Sequence, residues 1–75
     1  MELTMARAAD EILGVARLHG WEVTTGMGTI NARKGKRWVF IEFSVRGGVT
    51  YANSESRRFT GTGKKDQVLR ELTRK

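Results

Sequence analysis

Eight cations stand in three short clusters along the chain: Arg33, Lys34, Lys36 and Arg37 around Gly35, the pair Arg57 and Arg58, and the pair Lys64 and Lys65. Ammonium and guanidinium groups spaced this closely suit one kind of chemistry, the holding of phosphate oxygens, by point charge for Lys and by a planar fork for Arg. Lys64-Lys65 open an apolar-periodic segment. Lysine in a first helical turn opposes the helix dipole, and an anion bound there would reverse that penalty with the amides of Thr62, Gly63 and Lys64 as extra donors. On this reading, replacing Lys64 and Lys65 by Gln weakens binding. The competing reading is a solvated charged surface that only keeps the protein dispersed.

Catalytic chemistry finds few carriers. The chain has no Cys and one His, His19, so neither a disulfide, a thiolate zinc site nor a histidine cluster can form. Gly61-Thr62-Gly63-Lys64-Lys65 has the glycine and lysine of a phosphate-binding loop, but Arg58 stands where its first glycine belongs and Lys65 where its Ser or Thr belongs. No acidic pair is spaced to bind magnesium. Ser44, Ser54 and Ser56 have no histidine near them in sequence, and His19, beside Gly20-Trp21, reads as a capping or core-edge residue. No catalytic residue, no metal and no cofactor is expected, and the chain reads as a binding module, not an enzyme.

The elements that position these groups can be read from periodicity. Glu2 to Leu18 reads as a helix, with Met5, Ala9, Ile12, Ala16 and His19 on one stripe and Gly20 as its C-terminal cap. Trp21 to Thr25 alternates with odd positions inward, whereas Thr29 to Arg33 has even positions inward. Either a bulge at Gly26-Met27-Gly28 joins the two into one bent strand, or a tight turn divides them. Lys34-Gly35 reads as a hairpin turn into Lys36 to Arg46, whose odd positions Val39, Ile41, Phe43 and Val45 are all apolar. Gly47-Gly48 suits a two-residue turn, which sets Val45 opposite Thr50, Phe43 opposite Ala52 and Ser44 opposite Tyr51. Asn53 to Arg57 ends or bulges the third strand. Thr62 is a candidate N-cap for a second helix, Lys64 to Arg74, that buries Val68, Leu69 and Leu72 under Phe59.

The resulting expectation is one α+β domain over residues 1–75: an αβββα two-layer sandwich, an antiparallel three-stranded sheet with two helices on one face. Its other face is open, and parity puts Trp38 and Phe40 there, joined by Tyr51 and Arg46. Aromatics beside basic residues on an open sheet can stack bases. A covered or partner-binding role is the reading favoured over stacking: pairing across strands, anchoring a partner protein, or being covered by a second copy of the chain in a homodimer.

Composition agrees with binding to a polyanion. The net charge is +6. It is unevenly placed: residues 1–32 hold 2 basic against 4 acidic side chains, and residues 33–75 hold 12 basic against 4 acidic. No apolar run approaches the roughly 20 residues of a membrane span, and Met1 to Ala9, with Glu2 and Arg7, lacks the apolar block of a signal peptide. A cytoplasmic protein without a membrane partner is expected.

The helix–strand–strand–strand–helix order resembles the double-stranded RNA-binding domain, and Thr60-Gly61-Thr62-Gly63-Lys64-Lys65-Asp66 looks like the glycine-rich turn and paired lysines that open that family's second helix. The resemblance implies phosphate-gripping roles for Lys64 and Lys65. The alanine-rich helix of that family is replaced here by Val68-Leu69-Arg70-Glu71-Leu72. The same plan is similar to that of HicA-like toxins, whose helix-to-strand junction Leu18-His19-Gly20-Trp21-Glu22 resembles. Gly26-Met27-Gly28-Thr29 lacks their catalytic histidine, so no ribonuclease activity is implied. The general style is similar to that of small actinobacterial phage proteins. The expectation is therefore a non-catalytic nucleic-acid-binding module that grips phosphates through Arg33, Lys34, Lys36, Arg37, Arg57, Arg58, Lys64 and Lys65, largely without regard to sequence. The alternative is a protein-interaction module, such as a phage factor docking on a host protein, anchored by Trp38, Phe40, Tyr51 and Arg46.

Overall fold

The computed structural model describes residues 4–74, with backbone alone for residues 4–7. The order is α1 (Thr4–Leu18), β1 (Glu22–Gly26), β2 (Thr29–Lys34), β3 (Arg37–Phe43), β4 (Val49–Ser54), β5 (Arg58–Phe59) and α2 (Lys64–Thr73). The expected α+β class holds, but the sheet has five antiparallel strands in the order β1-β2-β3-β4-β5, not three. The expected helix start at Glu2 and the stripe position Met5 lie outside the described side chains.

α1 ends in a Schellman motif: the Trp21 amide donates to the Ala16 carbonyl and the Gly20 amide to that of Arg17. Gly20 takes φ +83°, a left-handed turn that costs a residue without Cβ nothing. His19 therefore falls in the cap and is exposed, off the apolar stripe on which the sequence had placed it. Ile12 and Ala16 carry that stripe into the core.

The parity change between β1 and β2 comes from a turn at Met27-Gly28, with Gly26 opposite Thr29 and Thr25 opposite Ile30. An even number of turn residues in a hairpin pairs odd positions with even ones, so no bulge is needed. Gly35-Lys36 makes the next turn, with Lys34 opposite Arg37. The β3–β4 connection differs from expectation. It is a three-residue loop, Val45-Arg46-Gly47, closed by Ser44 N–H to Gly48 O and Gly47 N–H to Ser44 O. Gly47 has φ +92°, the left-handed residue that follows a type I turn in such loops. The Ser44 hydroxyl accepts from the Arg46 amide and favours this turn over one at Gly47-Gly48.

The strand pairing consequently slides by two: Ile41 faces Ala52, Glu42 faces Tyr51 and Phe43 faces Val49 across a bulge. Val45, expected inside, is 88% exposed in the loop. Asn53 to Arg57 is a further hairpin, with Asn53 opposite Arg58. Its turn is held by the buried Ser54 hydroxyl, which accepts from the amides of Ser56 and Arg57. At α2 the N-cap is Gly63, not Thr62, and no side chain caps the helix.

Both helices cover one face of the sheet, α1 over β1 and β2, and α2 over β4 and β5. Ile30, Ala32, Val39, Ile41, Ala52 and Phe59 form the sheet side of the core, and Ile12, Ala16, Val68 and Leu72 the helix side. Among the described residues, no helix covers the other face.

Candidate functional site

The meander sets which groups share an end. The Gly35-Lys36 turn, the Glu55-Ser56 turn and the α1–β1 junction lie at one end of the sheet. The Met27-Gly28 turn and the Ser44–Gly48 loop lie at the other. α2 finishes at the first end, because Trp21 donates its indole N–H to the Leu72 carbonyl over 2.9 Å and Arg37 reaches Glu71 and Arg74.

Six of the eight cations singled out by sequence fall at or beside that first end: Arg33, Lys34, Lys36, Arg37, Arg57 and Arg58. They are not equally free. Arg37 is a structural clasp, with Nη2 on the Glu71 carbonyl and carboxylate, Nη1 on the Arg74 carbonyl, and the guanidinium 4.8 Å from the centroid of Trp21. The Lys34 ammonium donates to the His19 carbonyl at 2.8 Å. Arg57 is exposed and spreads over the Phe59 ring at 4.6 Å. Lys36, Arg33 and Arg58 are exposed.

Lys64 and Lys65 sit apart, at the start of α2, in the helical layer. The Lys64 ammonium turns back to the Gly61 carbonyl at 2.8 Å, and that of Lys65 pairs with Glu11 of α1 at 2.9 Å. The hydrogen bond and the charge of Glu11 raise the Lys65 pKa, so this ammonium is already matched to a carboxylate.

The open face is ordered in rows by the register. One row runs Glu22, Arg33, Trp38; the next runs Thr24, Asn31, Phe40, Asn53, Arg58; the third runs Thr29, Glu42, Tyr51. Trp38, Phe40 and Tyr51 are half-buried, and the Phe40 and Tyr51 rings meet edge to face, 6.3 Å between centroids at 63°. With Asn31, Arg33 and Asn53 they line a shallow depression. The backbone under Trp38 is fixed by Glu55, whose Oε1 accepts the Trp38 amide at 2.8 Å. The expected trio is thus on the open face, because a slip of two leaves parity unchanged. Arg46 does not join it, since it lies in the β3–β4 loop beyond the end of β3. Asn31 and Asn53, on either side of Phe40, were not singled out from sequence; their places opposite Phe40 become visible only once the register is known.

At the far end an apolar groove lies between α1 and the turns, lined by Ala9, Leu13, Met27, Ile30, Phe43 and Val45 among others, with Met27 fully exposed. No helix among the described residues is long and apolar enough to cross a membrane. Comparison with protein-family models, curated proteins and solved structures gives no match for this chain.

Proposed function

We propose that the protein is a non-catalytic nucleic-acid-binding module that contacts phosphates at the end of the sheet bearing the Gly35-Lys36 and Glu55-Ser56 turns. One observation carries this reading: Arg33 and Arg58 lie exposed on the same open face as Trp38, Phe40 and Tyr51, and Lys36 and Arg57 lie exposed in the turns at its edge. Cations next to stacking groups can engage both parts of a nucleotide, phosphate and base. Lys34 and Arg37 add positive charge at that end while serving the fold. Lys64 and Lys65, to which the likeness to the double-stranded RNA-binding domain assigns phosphate contacts, contribute less on this reading because each already has an oxygen partner.

The test is a gel-shift panel of duplex DNA, duplex RNA and single strands across a salt series. Binding that weakens linearly on a log–log plot against salt is expected, because each phosphate contact releases counterions. Absence of any shift in low salt would end the proposal. The second reading, a protein-interaction module, is favoured by the same half-exposed aromatics. It requires a purified complex that persists after nuclease treatment and in high salt.

A further inference from the structure

We infer that the open sheet face is a stacking platform for unpaired nucleotides, so that the nucleic acid held at the basic end is a single strand whose bases lie on Trp38, Phe40 and Tyr51. This inference rests on the nucleic-acid reading above and narrows it to a ligand class and a path. Trp38 and Phe40 are neighbours on one face of β3, two residues or about 6.6 Å apart. Tyr51 extends the patch diagonally on β4. Every base has a π face, so such a surface accepts bases without reading their order. Asn31 and Asn53 flank Phe40 in its row, and each amide offers both a donor and an acceptor to a base edge.

Charge selects the occupant and its track. Of the strand residues on this face two are carboxylates: Glu42, beside Tyr51, keeps phosphates from that corner, and Glu22 lies next to Arg33 at the outer end of its row. Glu55, in the turn past Trp38, has its Oε1 on the Trp38 amide. What remains is the line from Arg33 past Trp38 and Phe40 to Arg58, with a cation at each end. A duplex cannot use this surface well. Its bases are already paired and stacked, and its recognition runs through backbone and groove shape.

Fluorescence makes the test direct. Of the two tryptophans, Trp21 is only 4% exposed beneath Arg37, whereas Trp38 is half-exposed on the platform, so a bound strand should quench Trp38 selectively. The probe is an oligothymidine of about 12 nucleotides, within the usual span of one single-strand site, compared with a hairpin duplex of equal phosphate number. The single strand should bind more tightly than the hairpin and quench the emission. In Trp38→Phe, which keeps only Trp21, the quench should vanish while binding persists. Phe40→Leu should cost about tenfold in affinity for the single strand, and Phe40→Tyr should retain it.

Equal or tighter binding of the hairpin, with no quench and no effect of Phe40→Leu, overturns the platform and leaves the phosphate-binding reading intact. Binding to neither probe in low salt removes both. A doubled mass by sedimentation that Phe40→Leu reduces to the monomer would assign the face to a second copy of the chain and also overturn the inference.

Discussion

The Arg37 guanidinium lies over the Trp21 ring, and both side chains end on the last turn of α2: Nε1 of Trp21 on the Leu72 carbonyl, and Arg37 on the carbonyls of Glu71 and Arg74. These carbonyls lie at the helix end, where the Arg74 amide, at 3.4 Å, also donates to that of Glu71, and a cation there complements the helix dipole. The strand layer thereby caps the helix that covers it. Arg37→Ala should destabilise the fold by about 2–3 kcal/mol, somewhat under the cost for a fully buried pair because Arg37 is partly exposed. Trp21→Phe, which keeps most of the packing but leaves the Leu72 carbonyl unpaired, should cost about 1–3 kcal/mol. Urea denaturation measures both, and an unchanged midpoint for Arg37→Ala would show that the clasp carries no stability.

Glu71 is the acidic centre of this clasp, 6% exposed and bonded to Arg74 at 2.7 Å and Arg37 at 3.1 Å. Burial pushes its carboxyl up, but the hydrogen bonds and charges of Arg74 and Arg37 together outweigh burial and hold it below the ordinary carboxylate range. A pKa lower in the folded than in the unfolded chain contributes stability that is full above the unfolded value, about 4.3, and is lost as pH falls through the folded one. Wild type should therefore be more stable than Glu71→Gln at pH 7, and the gap should close on acidification below about pH 4. A gap constant with pH would mean that the carboxylate charge is not what Arg37 and Arg74 hold.

How much of this was legible in the chain depended on the distance over which each feature is decided. The end of α1 could be read from Gly20, and the inner and outer faces of β3 from its alternation, because both are local. The count of strands could not, since the parity change at Gly26-Met27-Gly28 fits a bulge in one strand as well as a turn between two, and β5 has two residues, which show no period. The register was misread because a hydroxyl at Ser44 moved the turn, yet Tyr51 stayed on the same face as Phe40 because the slip was even. The cations were the hardest to sort. Arg37, Lys34 and Lys65 look like free surface charges in sequence, and their partners Glu71, His19 and Glu11 stand 34, 15 and 54 positions away.

Two glycines should respond to the same substitution with opposite signs. Gly20 has φ +83°, and a Cβ there would meet only the Lys34 Cε at 3.9 Å, so Gly20→Ala pays in backbone strain alone, about 1–2 kcal/mol. Gly14 lies within α1 with nothing within 4 Å of an added Cβ, so Gly14→Ala should stabilise by about 0.5–1 kcal/mol. Thermal denaturation of both variants checks the pair. Stabilisation by Gly20→Ala would mean that α1 continues past Leu18 instead of turning into the Schellman motif.

Two pairs of cations should separate by the salt dependence of binding. Arg33 and Arg58 are exposed on the open face, at the two ends of the proposed strand path. Lys64 and Lys65 sit at the start of α2, one on the Gly61 carbonyl and one on Glu11. Each phosphate contact on a single strand contributes about 0.7 to the slope of log affinity against log salt. Arg33→Gln with Arg58→Gln should therefore lower the slope by about 1.4, whereas Lys64→Gln with Lys65→Gln should leave it nearly unchanged. Breaking the Lys65–Glu11 pair should also leave the urea midpoint in place, since both partners are largely solvated. If instead the lysine pair carries the slope and the arginine pair does not, the phosphates run along the start of α2 and not across the open sheet.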